Sequence, residues 1–246
     1  LLGQDDAAPV IGEPFRQWAI EDRFVAGRPR WDVVGAQMVS EVAPFEFMKL
    51  RMLNGAHSSL AYLGYLAGHE TVADASRDPV FARFLQGLWD EIIPTVPAPQ
   101  GVDLKAYAGD LLARFQNSAI RHRTWQIAMD GSQKLPQRLL GTIRERLKAG
   151  APIDHLALGV AAWMAYVAGT DEKGAAIDVR DPLAAEFATR AKAAGRNAAA
   201  LSEALFGLGA IFGDDLPRED RFTQAVAGHL GNLFQKGAKA TAATLG

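Results

Sequence analysis

From Pro44 to the C-terminus the chain is a succession of apolar patterns at helical spacing, and alternation of period two is almost absent from it. That spacing predicts a mainly α fold. A long pattern starts at Pro44 and stops at Gly68, and further helices are expected over roughly 80–91, 103–117, 119–129, 135–148, 153–167, 182–194, 198–208 and 221–236. Ahead of them, Glu13-Pro14 opens "EPFRQWAIEDRFVAG", with proline in a tolerated first-turn position and Gly27 as a stop, and predicts one more helix. "WDVVGAQMVSEV" is short and interrupted by glycine, and reads as a brief strand. "PTVPAPQGVD", Pro94 to Asp103, is the best linker candidate. Ten residues between two helices also make an ordinary surface loop, so a single domain over 1–246 is expected. "AGTDEKGAAIDVRDP" reads as a second, solvated loop.

Composition excludes several classes of function. Of the 246 residues 49% are hydrophobic, ample for a core, and the formal charge of −2 gives no basic field for nucleic acid or an anionic membrane. No apolar run approaches the roughly 20 residues that span a bilayer, and the amino terminus lacks the order of a signal peptide. With no cysteine, thiolate chemistry and disulfides are excluded, and a cytoplasmic protein is expected. A chain that opens on Leu1, behind an acidic, proline-containing lead, is expected to be a piece of a longer protein.

Cofactor fingerprints are missing. Neither G-x-G-x-x-G nor G-x-x-x-x-G-K-[ST] occurs, so a nicotinamide-binding domain, if one is required, lies elsewhere. His57, His69, His122, His155 and His229 are too scattered for a paired-histidine metal motif, and no metal is expected.

"MKLRMLNGAHSSLAYLG" is the stretch that carries chemistry. An apolar helix here holds Lys49, Asn54 and His57. At about 100° per residue, Asn54 falls near 140° and His57 near 80° from Lys49, so all three fit one broad face, with Gly55 and Ala56 leaving room for another backbone or a ligand. Two readings are open. In one, Lys49 snorkels to water, Asn54 satisfies local backbone and His57 is a core histidine; in the other the three form a site.

The stretch resembles the K-x-x-x-x-N-x-x-H signature of the polyol-specific long-chain dehydrogenase/reductase family, which includes mannitol 2-dehydrogenases and fructuronate reductases. "EPFRQWAIEDRFVAGRPRWDVVGAQMV" upstream and "RFQNSAIRHRTWQIAMDGSQKLPQR" downstream stand in the family's order, and "HLALGVAAWMAY" and "IFGDDLP" extend the likeness over nearly the whole chain. "QIAMDGSQKLPQR" is most similar to the fructuronate reductase branch, also called D-mannonate oxidoreductase.

The resemblance implies that a Rossmann-type domain, which would bind NAD and supply a further oxyanion asparagine, precedes this helical half and is the partner missing from it. It implies Lys49 as general acid in reduction and base in oxidation, Asn54 as oxyanion donor, and His57 as ligand to a substrate hydroxyl. A lysine acts as base only when neutral, which burial or neighbouring positive charge favours. Lys134 matches a lysine of the family's substrate pocket, whereas Gln126 stands where mannitol dehydrogenases have arginine. Arg16, Arg121, His122 and Arg123 are candidates for holding a uronate carboxylate, since guanidinium offers bidentate donors. Arg114 and Asn117 in "RFQN" fit a motif that borders the pocket, and structural helix contacts explain them equally well. The substrate implied is a small sugar acid, D-fructuronate or D-mannonate. The rivals are a neutral hexitol or pentitol, and a noncatalytic helical module that keeps the fold without the chemistry.

Overall fold

The computed structural model describes residues 3, 7, 8, 12, 13 and 15–245. The helix expected over Glu13 to Gly27 is not there, and Pro14, its first-turn residue, lies outside the described residues. Strand β1 (Ala19–Glu21) instead runs parallel to β2 (Gln37–Val39), in the register Ala19 to Gln37, Ile20 to Met38 and Glu21 to Val39. The second strand is the one expected within "WDVVGAQMVSEV".

The helix fails for a physical reason. An amphipathic helix draws most of its stability from an apolar face that packs, and the large side chains here meet no core: Phe15 is 44% exposed and Trp18 57%. The backbone is satisfied by the partner strand, through Gln37 N–H to the Trp18 carbonyl at 2.7 Å and Asp22 N–H to Val39 at 2.9 Å. Arg28 closes the crossover with a fork onto Asp22 at 2.8 and 2.9 Å and a third bond to Asp32 at 3.1 Å.

Helices then follow without a break in the pattern. A single continuous helix comprises α1 (Ala43–Met48), a π-helical segment Lys49–Gly55 and α2 (Ala56–Leu66). Thr71 and Asp78 cap the helices α3 (Val72–Arg77), which the sequence reading did not anticipate, and α4 (Pro79–Ile92). After Pro94 to Asp103 the chain folds back: Asp103 caps α5 (Leu104–Phe115), which packs on α3 and α4. The helix expected over 119–129 shrinks to α6 (Thr124–Ala128). Its first five residues are a tether instead, because the Val72 N–H donates to His122 and the Thr124 N–H to Glu70.

The pattern expected over 135–148 begins earlier. It comprises α7 (Gly131–Leu135), a second π segment Pro136–Leu140, and α8 (Gly141–Lys148). Proline cannot donate the helical hydrogen bond and its ring crowds the preceding turn, so the helix widens where Pro136 enters. The rest comprises α9 (Asp154–Val167), α10 (Ala184–Ala194), α11 (Ala198–Phe206), α12 (Gly209–Phe212), α13 (Asp220–Lys236) and α14 (Ala238–Ala242).

Helix α9 is the axis of the core. Every residue from Leu156 to Val167 is buried, as an all-apolar helix requires. Its first turn is capped by a side chain from another helix: the buried Glu91 carboxylate accepts the His155 and Leu156 N–H groups at 2.9 and 3.0 Å, and lies 3.0 Å from His155 Nδ1. On its other flank α2 packs so tightly that a Cβ on Gly159 would stand 2.6 Å from Ser59 Oγ. The helix that carries Asn54 and His57 is thereby fixed to the most buried element of the molecule. None of the helices among the described residues is long and apolar enough to cross a membrane.

Candidate active site

The π segment holds Lys49 and Asn54, and α2, which continues it, holds His57. In an i→i+5 turn the neighbours along one edge are residues four and five apart, where an α-helix has those three and four apart. Lys49 and Asn54 are five apart and span the segment from its first residue to its last but one. The α-helical wheel overstates their separation, and the wider turn draws them onto one edge. Lys49 is exposed and Asn54 half-buried; neither side chain has a hydrogen-bonding partner among the described residues. The surrounding backbone is held firmly. Trp89 Nε1 donates to the Met52 carbonyl at 2.9 Å, Ser59 Oγ donates to that of Gly55 at 3.0 Å, and the buried Arg51 forks onto Glu145 at 2.6 and 2.9 Å.

His57 lies deeper. Its ring stacks on Phe115 at 5.1 Å between centroids and stands 5.6 Å from that of His122. Burial, and then the neighbouring His122, Arg138, Lys134 and Arg114, push its pKa down to about 3, so the imidazole is neutral at physiological pH. Nε2 is buried without a partner. A neutral imidazole offers one donor and one acceptor, the pair a hydroxyl needs.

The remaining candidates divide into two groups. His57, Arg114, Asn117 and His122 come together around a cavity of about 70 Å³, room for a water or two and too small for a six-carbon sugar. Arg114 is already engaged there, with a bidentate pair to Glu13, Nε to Oε1 at 3.2 Å and Nη2 to Oε2 at 2.8 Å, and its guanidinium 4.0 Å over the Phe15 ring. Asn117 Oδ1 accepts the Ala119 N–H at 3.0 Å and so shapes the turn. Arg121 and Arg123 face Glu70 on the surface, at 3.3 and 4.0 Å. Arg16 is exposed on the segment before β1, and Gln126 is exposed on α6.

Lys134 belongs with His57. It is half-buried, and its Nζ donates to the Met129 and Ile127 carbonyls at 2.5 and 3.3 Å, at the C-terminal end of α6, where the helix dipole favours a cation. Burial and then the neighbouring Arg138 lower its pKa. The chain reaches this position through Asp130, whose φ of 55° is the only left-handed one among the described non-glycine residues, and through Gly131, where a Cβ would stand 2.4 Å from Trp163 Nε1 and 2.6 Å from the Tyr62 hydroxyl. Arg138 was not singled out from the sequence. The available signal was its position four residues after Lys134, two cations one turn apart in an apolar helix. Among the described residues no cluster of three or more His, Asp or Glu is arranged to hold a metal.

The family profile described as the mannitol dehydrogenase C-terminal domain matches residues 41–234. The chain belongs to the mannitol dehydrogenase family. Its relatives include the D-mannonate oxidoreductase of Escherichia coli K12, 54% identical over 245 residues, and a mannitol 2-dehydrogenase of Pyricularia oryzae, 37% identical over 241 residues. These alignments take in 99% and 96% of this chain but only 50% and 47% of the relatives. A solved Pseudomonas fluorescens mannitol 2-dehydrogenase, in ternary complex with NAD and D-mannitol, superposes with a TM-score of 0.90 at 36% identity, over 98% of this chain and 48% of that one. The chain thus spans about half the length of the mannitol dehydrogenase relatives it matches. The family match begins at Glu41, so the β1–β2 pair precedes it and the π segment with Lys49 falls within it.

Proposed function

We propose that this chain is the catalytic and substrate-binding half of an NAD-dependent oxidoreductase that interconverts D-fructuronate and D-mannonate, and that an N-terminal nucleotide-binding domain of the same protein completes the site. The observation that carries the proposal is the pairing of Lys49 and Asn54 on one edge of a π turn, both without partners among the described residues. The 54% identity to a D-mannonate oxidoreductase supports the sugar acid over a neutral polyol. The mannitol 2-dehydrogenases among the relatives keep the neutral hexitol as the rival substrate.

Carbonyl reduction places negative charge on the oxygen, so the site needs a proton donor and donors aimed at that oxygen. NAD, when bound, supplies or accepts the hydride. The amine, carboxamide and imidazole gathered here suit the carbonyl end of that reaction and not a nucleotide phosphate, which fits a cofactor held mainly by the other domain. Lys49 gives the proton to the developing alkoxide in reduction and takes it from the alcohol in oxidation. Asn54 donates to the same oxygen, and neutral His57 holds an adjacent hydroxyl. Lys134, fixed on two carbonyls, orients the polar end of the substrate.

The test is a substrate panel on the full-length protein: fructuronate, tagaturonate and fructose in reduction, D-mannonate and D-mannitol in oxidation, each with both nicotinamide cofactors. Preference for D-mannitol and fructose would replace the sugar acid by the neutral polyol. Absence of any turnover would favour a noncatalytic module.

A further inference from the structure

Among the described residues that are buried or half-buried, Arg28, Arg51, Arg114, Arg144 and Arg190 each face a carboxylate, and Arg146 donates to the Pro152 carbonyl. Arg138 is half-buried and has no carboxylate among the described residues. Its one hydrogen bond runs from Nη1 to Ser58 Oγ at 2.8 Å, and its Nε is buried without an acceptor. An unpaired cation in such a place is costly, and proteins seldom keep one without a partner.

A second cation stands one turn before it. Lys134 is bound to carbonyls only, and the nearby Asp181 is engaged with the Ser132 N–H and hydroxyl and with the Leu183 N–H. Through Ser58 the Arg138 guanidinium meets the helix that carries Asn54 and His57. Ser58 follows Asn54 by four residues, one α-helical turn, and the positive charges of Arg138 and Lys134 both act on His57. The other basic candidates are engaged: Arg114 by Glu13, Arg121 and Arg123 by Glu70.

We propose that Arg138, steadied by Ser58, receives the carboxylate of the sugar-acid substrate and sets the preference for sugar acids over neutral polyols. The assignment rests on the reading of this site as that of a sugar-acid dehydrogenase. Guanidinium is suited to the role, because its remaining N–H groups can take both carboxylate oxygens at once.

The experiment compares wild-type, Arg138→Gln and Arg138→Lys forms of the full-length enzyme, with steady-state kinetics on D-mannonate and D-mannitol and melting curves with and without D-mannonate. Arg138→Gln is expected to raise the KM for D-mannonate roughly 10- to 100-fold, the range of a lost charge-assisted hydrogen bond, with a smaller change in kcat. Its effect on D-mannonate should exceed its effect on the KM for NAD and on any D-mannitol turnover, and it should abolish the stabilisation by D-mannonate seen in the wild type. Arg138→Lys, which keeps the charge and loses the fork, should recover part of the affinity, and decides the matter if the glutamine variant does not fold. An unchanged KM for D-mannonate in both variants would overturn the assignment, as would equal losses on D-mannonate and D-mannitol. A wild-type enzyme that refuses every sugar acid overturns the functional reading together with it; one that accepts D-mannonate whatever residue stands at 138 overturns this inference alone.

Discussion

A Cβ on Gly55 would stand 2.8 Å from the carbonyl oxygen of Arg138, so the two π segments touch at a point where only glycine fits. The contact ties the helix that carries Lys49, Asn54 and His57 to the one that carries Lys134 and Arg138. Gly55→Ala must push them apart against rigid backbone. It is expected to cost about 1–3 kcal/mol in stability, the usual range for overpacking, and to lower kcat/KM by more than the loss of folded protein explains. Urea titration and kinetics on one preparation separate the two effects.

Lys49 and Asn54 differ in what they lose. Lys49→Ala should reduce turnover by roughly 10²- to 10⁴-fold, the range for a general acid–base group, with little effect on nucleotide binding and partial rescue by an added primary amine. Asn54→Ala should remove about 3 kcal/mol of transition-state stabilisation while substrate affinity changes less. Near-normal turnover in either folded variant removes that residue from the mechanism.

The neutral state of His57 has a pH signature. Its pKa is pushed down to about 3 in the folded chain, against about 6.5 when unfolded. Between those values the unfolded chain binds a proton that the folded one refuses, so stability present above about pH 6.5 is lost as pH falls, at up to about 1.4 kcal/mol per unit. His57→Gln should show a shallower acid limb than the wild type when unfolding free energies at pH 7.5, 5.5 and 4.5 are compared. Parallel curves would show that His57 does not titrate in this way.

The Glu91 cap gives a purely structural control. Glu91→Ala leaves the His155 and Leu156 N–H groups buried without an acceptor, and should cost about 2–3 kcal/mol. The remaining folded enzyme should keep its kcat, because the cap is not among the reacting groups. A kcat that falls as steeply as stability would connect α9 to the chemistry.

For this chain alone, calorimetry with NADH is expected to show no micromolar binding, since its sequence holds no glycine-rich phosphate loop. Binding at that level would place cofactor determinants within the helical half.

The sequence made the helices legible where proline, aspartate or glycine punctuates an apolar pattern, as at Pro79, Asp103 and Gly68. It misled over "EPFRQWAIEDRFVAG", because periodicity reports which residues are apolar and not whether a core is there to receive them. It overextended the helix before Thr124, where the chain pairs across to Glu70 and Val72, a tertiary contact invisible to local pattern. The π turns were hidden for a related reason. Apolar spacing does not distinguish an i+4 ladder from an i+5 one, and only Pro136 hinted at the second. Lys49, Asn54 and His57 could be picked out because polar groups stood in an apolar helix. Arg138 looked like any surface arginine until its lack of a carboxylate was visible in three dimensions.

Each π turn holds one residue more than an α-helix bonded in the same way, and at Lys49–Gly55 the wider turn absorbs that residue by advancing less than the α-helical 100° per residue. Deleting one residue there would let the helix relax to the ordinary ladder with little rotation of what lies upstream. An insertion in the α-helical part of α2 has no such slack: it would swing everything upstream, the β1–β2 pair with its exposed Trp18 and Phe15 included, by about 100° around the helix axis.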